Sequence, residues 1–495
     1  MPAIEFVSTP PFQGDHHVET HPVSRSRVKA EPHRGTAQGA HPLHRQPRPH
    51  QDGYRPAIRR RCLGQGRRPC CGAGRQRHLT GSEARMVPDV RIRQEDFGFI
   101  LAFGTGEIGL YRHAVAEALL QGATREALEP YRLPSIPVRD EFHLSAPLIV
   151  WFEITRACNL SCRHCYIEAG KPRDHELSTP EIFDALEQMK AAGVFALVLV
   201  GGEPMMHPDF LAIVNHAHQL GFVISIATNG GYITQELIDR LPRKECVVSV
   251  SVDGTANHKE LRVRSTWDEV RERILLLRRN GIPTAIMSTQ TAGNVHELEA
   301  LLDFAREHQC FFGSTPMSPI GRGKFFPQYQ PQSNIVEESA RLYIADKHHD
   351  QTMNDTVGLC VAKFLDECHN IAKATGREFC GVAMAYLMSD GGLYPCSICA
   401  SNEKFRAGSL REQSFQTLWR DSFKDIRQFT YDKFKECPNC ELSRDPYYCT
   451  SRCAVMAERY TGDPLGCGST SFVKASLKRR TELLQNEFPG IPGGA

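Results

Sequence analysis

Three cysteines crowd into one short stretch of the chain, ACNLSCRHCY, at positions 157–166. Cys158, Cys162 and Cys165 have C-x3-C-x2-C spacing. A structural zinc site takes four ligands, so these three cysteines would need a fourth. His164 is adjacent, but it lies between Cys162 and Cys165, and so tight a loop leaves little room to wrap a tetrahedral ion with it. A cubane iron–sulfur cluster suits three thiolates better, because its fourth iron then stays open to an exchangeable ligand.

A second group of cysteines lies towards the C-terminal end. Cys380 is followed by GGLYPC, in which Gly391 and Cys396 have G-x4-C spacing. Further cysteines follow at C-x2-C and C-x3-C spacing and singly: Cys437, Cys440, Cys449, Cys453 and Cys467. Sets of four thiolates hold either zinc or iron–sulfur clusters, so two structural zinc sites are an alternative here.

The composition indicates an intracellular globular protein. The 495 residues contain 18 cysteines, and the N-terminal sequence shows no basic segment followed by an apolar one, so we expect a reducing cytoplasm, where clustered thiols more often serve metals or catalysis than disulfides. No run of about 18 apolar residues indicates a membrane span. The net charge of +2 gives no global case for binding nucleic acid or an acidic membrane.

The first 85 residues differ from the rest. They contain 14 Arg, 1 Lys, 8 His and 10 Pro, and such a stretch buries too little apolar surface to offset its ordering entropy. We expect residues 1–85 to be disordered or to be translated upstream sequence, with Met86 as the true start. A basic arm for nucleic acid is the alternative.

The remaining chain predicts an α/β protein. Between residues 146 and 328, six near-continuously apolar strands alternate with amphipathic helices, which is typical of a parallel sheet covered on both faces. A capping box from Ser178 to Glu181 predicts the start of one of these helices. Open-sheet and barrel folds both fit, and in both the carboxyl ends of the strands carry the site. Residues 329–378 are predicted to be a helical linker, 379–470 a cysteine-rich domain, and 471–495 a helix and tail.

The first cysteine motif, placed directly after the first of these strands, resembles that of radical S-adenosylmethionine enzymes, with His164 at the usually aromatic position. The resemblance implies a partial (β/α)6 TIM-like barrel and a [4Fe-4S] cluster on Cys158, Cys162 and Cys165. It further implies that the open iron binds S-adenosylmethionine, and that one electron cleaves this cofactor to a 5′-deoxyadenosyl radical, which abstracts hydrogen from the substrate.

Later segments extend the resemblance. GGEP follows the second strand, and in the family this loop contacts the methionine amino group; SVDG follows the fourth, where a polar residue binds the ribose. The cofactor contacts implied in this way are His164, Gly201, Gly202, Glu203, Ser251 and Asp253, with Met317 as a weaker candidate for packing the adenine. Ordinary strand-end turn chemistry is the alternative for Ser251 and Asp253.

The C-terminal cysteines resemble the family's SPASM extension, apart from an eight-residue gap between Cys440 and Cys449. The resemblance implies two auxiliary [4Fe-4S] clusters. The outer one takes Cys437, Cys440, Cys449 and Cys467, and the inner one takes Cys380, Cys396 and Cys453. The fourth ligand of the inner cluster is left open between Cys368, Cys399 and no protein ligand.

Residues 86–145 read as three short strands and a helix. They resemble the start of the PqqD-like peptide-recognition domain, and a simple packing extension is the alternative. With the SPASM extension, this predicts a maturase of ribosomally made peptides, whose partners are a precursor peptide or protein substrate and an electron donor such as flavodoxin or ferredoxin. Two alternatives are a radical enzyme acting on tetrapyrrole side chains in haem synthesis and a non-enzymatic zinc-binding interaction protein. The spacing selects no catalytic acid or base.

Overall fold

A twisted nine-stranded sheet forms the centre of the computed structural model, which describes residues 90–134, 136, 142–357, 359–443, 449 and 453–486. The predictions for residues 1–85 and for Met86 lie outside these ranges. The strands are β1 (Val90–Glu95), β2 (Gly98–Phe103), β3 (Ile108–Tyr111), β4 (Ile149–Thr155), β5 (Ala196–Gly201), β6 (Val223–Thr228), β7 (Cys246–Ser251), β8 (Thr284–Gln290), β9 (Phe311–Pro316), β10 (Met384–Leu387), β11 (Gly392–Tyr394) and β12 (Gly408–Ser409).

Six parallel strands, β4 to β9, pair in sequence order and are separated by helices. This confirms the predicted (β/α)6 partial barrel. The α-helices are α1 (Val115–Leu120), α2 (Arg125–Leu128), α3 (Thr179–Ala191), α4 (Phe210–Gln219), α5 (Gln235–Arg240), α6 (His258–Leu261), α7 (Trp267–Arg279), α8 (Val295–Glu307), α9 (Val336–Val357), α10 (Val361–Thr375), α11 (Phe415–Asp421), α12 (Lys424–Arg427), α13 (Ala454–Thr461) and α14 (Ser471–Asn486). None of the described helices is both long enough and apolar enough to cross a bilayer.

Local sequence explains where the barrel helices start. The Glu181 carboxylate accepts hydrogen bonds from the Ser178 backbone nitrogen at 2.8 Å and from its hydroxyl at 2.7 Å, and the two residues form a capping box at the start of α3. The predicted box is therefore confirmed. Thr266 and Glu269 repeat the arrangement at the start of α7. Such caps satisfy backbone groups that the first helical turn would otherwise leave unpaired.

Alternating side chains of strand β4 have different surroundings. Val150, Phe152 and Ile154 are buried in the core with residues of α3, whereas Glu153, which alternates with them, is fully buried and bonded to polar side chains. Successive side chains of a strand point to opposite faces. One face of β4 therefore packs against α3, and the other carries the buried Glu153 together with the apolar residues Ile149 and Trp151.

The antiparallel sheet β1–β3 packs against the amino-terminal ends of the barrel strands. Ile100 and Leu110 share a buried cluster with Ile149 and Val223, the first residues of β4 and β6. Buried Arg93 donates from Nη1 to the carbonyls of residues 147 and 193, at 3.0 and 2.9 Å. The three predicted strands are confirmed. A peptide-recognition role for residues 86–145 stays a prediction.

The cysteine-rich segment extends the barrel sheet, which the sequence pattern did not reveal. Strand β10 pairs in parallel with β4, joining Met384 to Ile149, and β11 and β12 follow antiparallel. These strands have only two to four residues, too few to show a clear period. The second group of cysteines is thus tied to the strand that leads into the first group.

Candidate metal centre

The first three cysteines lie on a loop that leaves β4 at its carboxyl end and folds back on itself. The Cys158 backbone nitrogen donates to the Gly170 carbonyl at 2.9 Å and closes the loop. Backbone nitrogens of Leu160 and Ala169 lie 3.4 Å from Cys158 Sγ and 3.3 Å from Cys165 Sγ, respectively. The loop thus aims amide donors at two of its three sulfurs.

Burial opposes ionisation of two of these thiols in the protein alone. It raises the pKa of Cys158, and it raises the pKa of Cys162 to about 11. A bound cation reverses this, because metals bind the thiolate and drive off its proton. Cys158 and Cys162 therefore favour the thiol form in the protein alone and the thiolate form with a metal, as expected for ligands of an iron–sulfur cluster.

Arg322, which the sequence analysis missed, holds the cysteine loop in place through hydrogen bonds to its backbone. Its backbone nitrogen donates to the Cys165 carbonyl at 2.9 Å, and its guanidinium donates to the carbonyls of Cys162 at 2.8 Å and Ala169 at 2.7 Å. The preceding Gly321 has φ +53°, and a Cβ there would lie 2.5 Å from the Cys165 carbonyl oxygen. Two glycines flanking the arginine, in GRG, were the available signal.

The glycines of GGEP are required by close backbone contact. A Cβ on Gly201 would lie 2.4 Å from the Thr155 carbonyl oxygen, and one on Gly202 would lie 2.3 Å from the Ala157 carbonyl oxygen. Both distances are far below van der Waals contact, so no side chain fits at either position. The observed approach is to the backbone at the base of the cysteine loop, and contact with a bound methionine group stays a prediction.

Glu203 ties the ends of two strands together. It is fully buried, and its carboxylate accepts from Thr228 Oγ1 at 2.8 Å and from the Asn229 nitrogen at 2.7 Å. Burial raises its pKa to about 7. The Asn229 side chain then donates to Asn159 Oδ1, in the cysteine loop, at 2.8 Å. Glu203 therefore positions the loops after β5 and β6 against the cysteines.

Two of the predicted cofactor contacts meet each other. Asp253 Oδ2 lies 3.3 Å from His164 Nε2 and 2.7 Å from Arg262 Nε, and Oδ1 accepts from the Thr289 nitrogen at 2.8 Å. Asp253 is fully buried within these contacts. The other ribose candidate, Ser251, is half-buried at the end of β7. Sequence reasoning missed Arg262, since nothing in its local pattern marks a partner nine residues away.

His164 offers an unused polar atom beside the cysteine loop. Burial lowers the pKa of its imidazole to about 4, so the ring is neutral at physiological pH. Its Nδ1 is buried and has no hydrogen-bond partner among the described residues. Buried polar atoms normally have a hydrogen-bond partner, so an unpaired nitrogen of this kind is suited to bind a ligand. This fits a cofactor held against the loop.

The second group of cysteines divides into two sets in space. Cys380, Cys396 and Cys453, assigned to the inner set, pack together, and Cys399 lies among them. The four residues assigned to the outer set line one cavity: Cys437, Cys440, Cys449 and Cys467. Within the described ranges, no three His, Cys, Asp or Glu side chains are arranged to hold a single ion.

Lys474, on α14, lies in the wall of the outer cavity. Its hydrogen bond to Cys467 raises the pKa of the ammonium group, as does the proximity of Cys440 and Cys449. A cation of this kind offsets the negative charge of a thiolate set. Sequence analysis predicted the helix but not this contact.

Comparisons with known proteins agree with this geometry. Residues 152–305 match the model of the radical SAM superfamily, and residues 379–441 match the SPASM iron–sulfur cluster-binding domain. Pre-heme d1 synthase of Dinoroseobacter shibae is 31% identical over 343 residues, covering 64% of this chain and 84% of that protein. The chain belongs to the radical SAM superfamily. The hypothesis of a non-enzymatic zinc-binding protein is therefore wrong, and the predicted class is confirmed.

Two further proteins are similar to this radical SAM enzyme. Mycofactocin maturase MftC of Mycobacterium tuberculosis is 28% identical over 348 residues, covering 67% of this chain and 84% of the relative. Streptococcus suis SuiB, solved with S-adenosylmethionine and with its precursor peptide SuiA, has a TM-score of 0.60 in both structures. The first covers 79% of this chain and 99% of SuiB at 17% identity, and the second covers 78% and 98% at 16%. The SuiB likeness concerns the fold.

As a radical SAM enzyme, the protein uses a [4Fe-4S] cluster and S-adenosylmethionine. Its SPASM domain is an iron–sulfur cluster-binding domain. When bound, the first cluster supplies the electron that cleaves S-adenosylmethionine reductively. The residues present fit this group, through three thiols, two amide–sulfur contacts and the unpaired His164 nitrogen. The protein's own part is to hold the loop in place through Arg322 and Glu203 and to keep the site buried.

Proposed function

We propose that this protein is a peptide maturase of the cytoplasm, which generates a substrate radical on a ribosomally made precursor peptide. The observation that supports this most is the similarity to MftC over 348 residues, which covers 67% of this chain and 84% of that protein. We assign the first cluster to Cys158, Cys162 and Cys165, and the outer auxiliary cluster to the four cysteines of the C-terminal cavity. The electron comes from a donor such as a flavodoxin or ferredoxin.

A haem precursor is the second candidate substrate, and the similarity to pre-heme d1 synthase favours it. Haem precursors carry several carboxylates, which proteins recognise with guanidinium groups. The arginines around the cysteine loop are already engaged: Arg173 with Glu153, Arg262 with Asp253, and Arg156 and Arg322 with backbone carbonyls. Because these guanidinium groups are already paired within the protein, they are poorly placed to bind the carboxylates of a tetrapyrrole. This supports a peptide as the substrate over a tetrapyrrole.

Anaerobic incubation of the reconstituted enzyme separates the candidates. S-adenosylmethionine, a reductant and each short peptide encoded beside the gene are supplied, and products are read by mass spectrometry with 5′-deoxyadenosine as a parallel readout. We expect a mass change in one peptide, and none with the triple alanine variant of Cys158, Cys162 and Cys165. Cofactor cleavage without change in any peptide, together with conversion of a haem precursor, would overturn the proposal.

A further inference from the structure

A fourth thiol joins the inner cysteine set. Cys396 Sγ lies 3.4 Å from Cys399 Sγ, and the Cys380 side chain hydrogen-bonds to Cys396. Cys453 packs against the same buried cluster as Cys396 and Cys399. Both Cys396 and Cys399 are nearly inaccessible to solvent, at 4% and 3% exposed. The four sulfurs therefore share one buried site.

Local backbone geometry explains how Cys399 reaches that site. Cys396 comes two residues after the end of β11, and the chain then turns tightly, with the Ala400 nitrogen donating to the Cys396 carbonyl at 3.2 Å. Cys399 lies within this turn and begins a short 3-10 helix. The C-x2-C spacing across a tight turn returns the second thiol beside the first, as in many metal-binding loops.

Cys368, the other candidate, belongs to a different environment. It lies on α10 and is fully buried among Phe364, Ile371 and Ala383. Its Sγ is 3.7 Å from the Ala383 carbonyl oxygen, to which it donates. Cys368 belongs to one buried cluster of the described residues, and the four inner thiols belong to another. Cys368 is therefore a core thiol of the barrel.

We propose that Cys399 is the fourth protein ligand of the inner auxiliary cluster. All four irons of that cluster are then held by thiolates: Cys380, Cys396, Cys399 and Cys453. A cluster with a complete set of cysteines offers no open iron to a substrate, in contrast to the first cluster with its three ligands. The substrate is therefore not held by coordination to this cluster.

The inner cysteine set has an aromatic neighbour in the barrel sheet, Trp151. Trp151 lies on β4 and packs against the inner cysteine set, and its indole nitrogen is buried without a hydrogen-bond partner in the described part of the chain. The strand that leads into the first cysteine loop thus presents an aromatic side chain to the inner cysteine set. The assignment of Cys399 rests on the SPASM assignment and is independent of whether the substrate is a peptide.

The experiment uses the full chain with Cys158, Cys162 and Cys165 replaced by alanine, so that no first cluster contributes an open iron. After anaerobic reconstitution this parent should hold about eight irons per chain. Cyanide is then added to the reduced protein and its binding is read by EPR and 13C ENDOR. Cys399→Ala and Cys368→Ala are each placed in the same background, the latter as a matched control for loss of a buried thiol.

We expect the parent and Cys368→Ala to show no cyanide coupling. Cys399→Ala should either bind cyanide at a newly opened iron or lose about four irons while the outer cluster is retained, and Cys399→Ser should keep the irons with altered g-values. Cyanide binding to the parent, or an open iron created by Cys368→Ala but not by Cys399→Ala, would overturn the assignment. None of these readouts involves a substrate, so failure of the peptide assay leaves the result intact.

Discussion

Replacing Asp253 by asparagine tests whether this residue contacts the ribose or holds the protein together. The carboxylate is fully buried and lies 2.7 Å from Arg262 and 3.3 Å from His164. Its side chain is thus already occupied by protein groups. We expect Asp253→Asn to act mainly on stability, because it leaves the Arg262 guanidinium without its counter-charge in a buried place.

The size of the effect follows from the burial of the pair. Removing one partner of a buried ion pair costs about 3–5 kcal/mol, because the other charge stays desolvated. At about 2–4 °C per kcal/mol for a unit of 150–250 residues, Tm should fall by roughly 6–20 °C. The double variant Asp253→Asn/Arg262→Gln removes both charges and should recover part of this loss.

Thermal unfolding of anaerobically purified protein measures the change, and calorimetric titration measures the affinity for S-adenosylmethionine. Ser251→Ala serves as the control, because Ser251 is the half-buried ribose candidate at the end of β7, two residues before Asp253. We expect it to lower the affinity without lowering Tm. If Asp253→Asn leaves Tm unchanged while it weakens cofactor binding, the reasoning from the buried pair is wrong and Asp253 is a cofactor contact.

Two further changes probe groups outside the cysteine loop. Burial raises the pKa of Glu367 to about 7 from its ordinary 4.5, so its contribution to stability is full below pH 4.5 and is lost as pH rises to 7. Glu367→Gln should therefore gain roughly 3 kcal/mol over the wild type between pH 5 and pH 8, and equal pH profiles in thermal unfolding would contradict this. Lys474→Met should lower the reduction potential of the outer cluster by about 45 mV, equivalent to roughly 1 kcal/mol, since a hydrogen bond to Cys467 is lost. An EPR-monitored redox titration checks it against Lys478→Met on the same helix, and identical potentials for the two variants would refute it.

Much of the barrel was predictable because its signals are local. The alternation of apolar strands with amphipathic helices between residues 146 and 328 predicted six parallel strands, and the pair Ser178 and Glu181 predicted the start of α3. Hydrophobic period and capping chemistry act within one or two turns of the chain. The three-residue strand β11 carries no such period, and its place in the sheet was therefore not predictable.

The sequence by itself determined the class of chemistry, because three thiols within eight residues bring their own ligand spacing to any loop that carries them. Only the tertiary structure placed Cys399 beside Cys396 and Cys368 beside the Ala383 carbonyl, and only it joined His164 to Asp253 and Arg262. Those contacts depend on which strands and helices pack side by side across tens to hundreds of residues. Such packing follows from the burial of the whole core, and no short stretch of sequence records it.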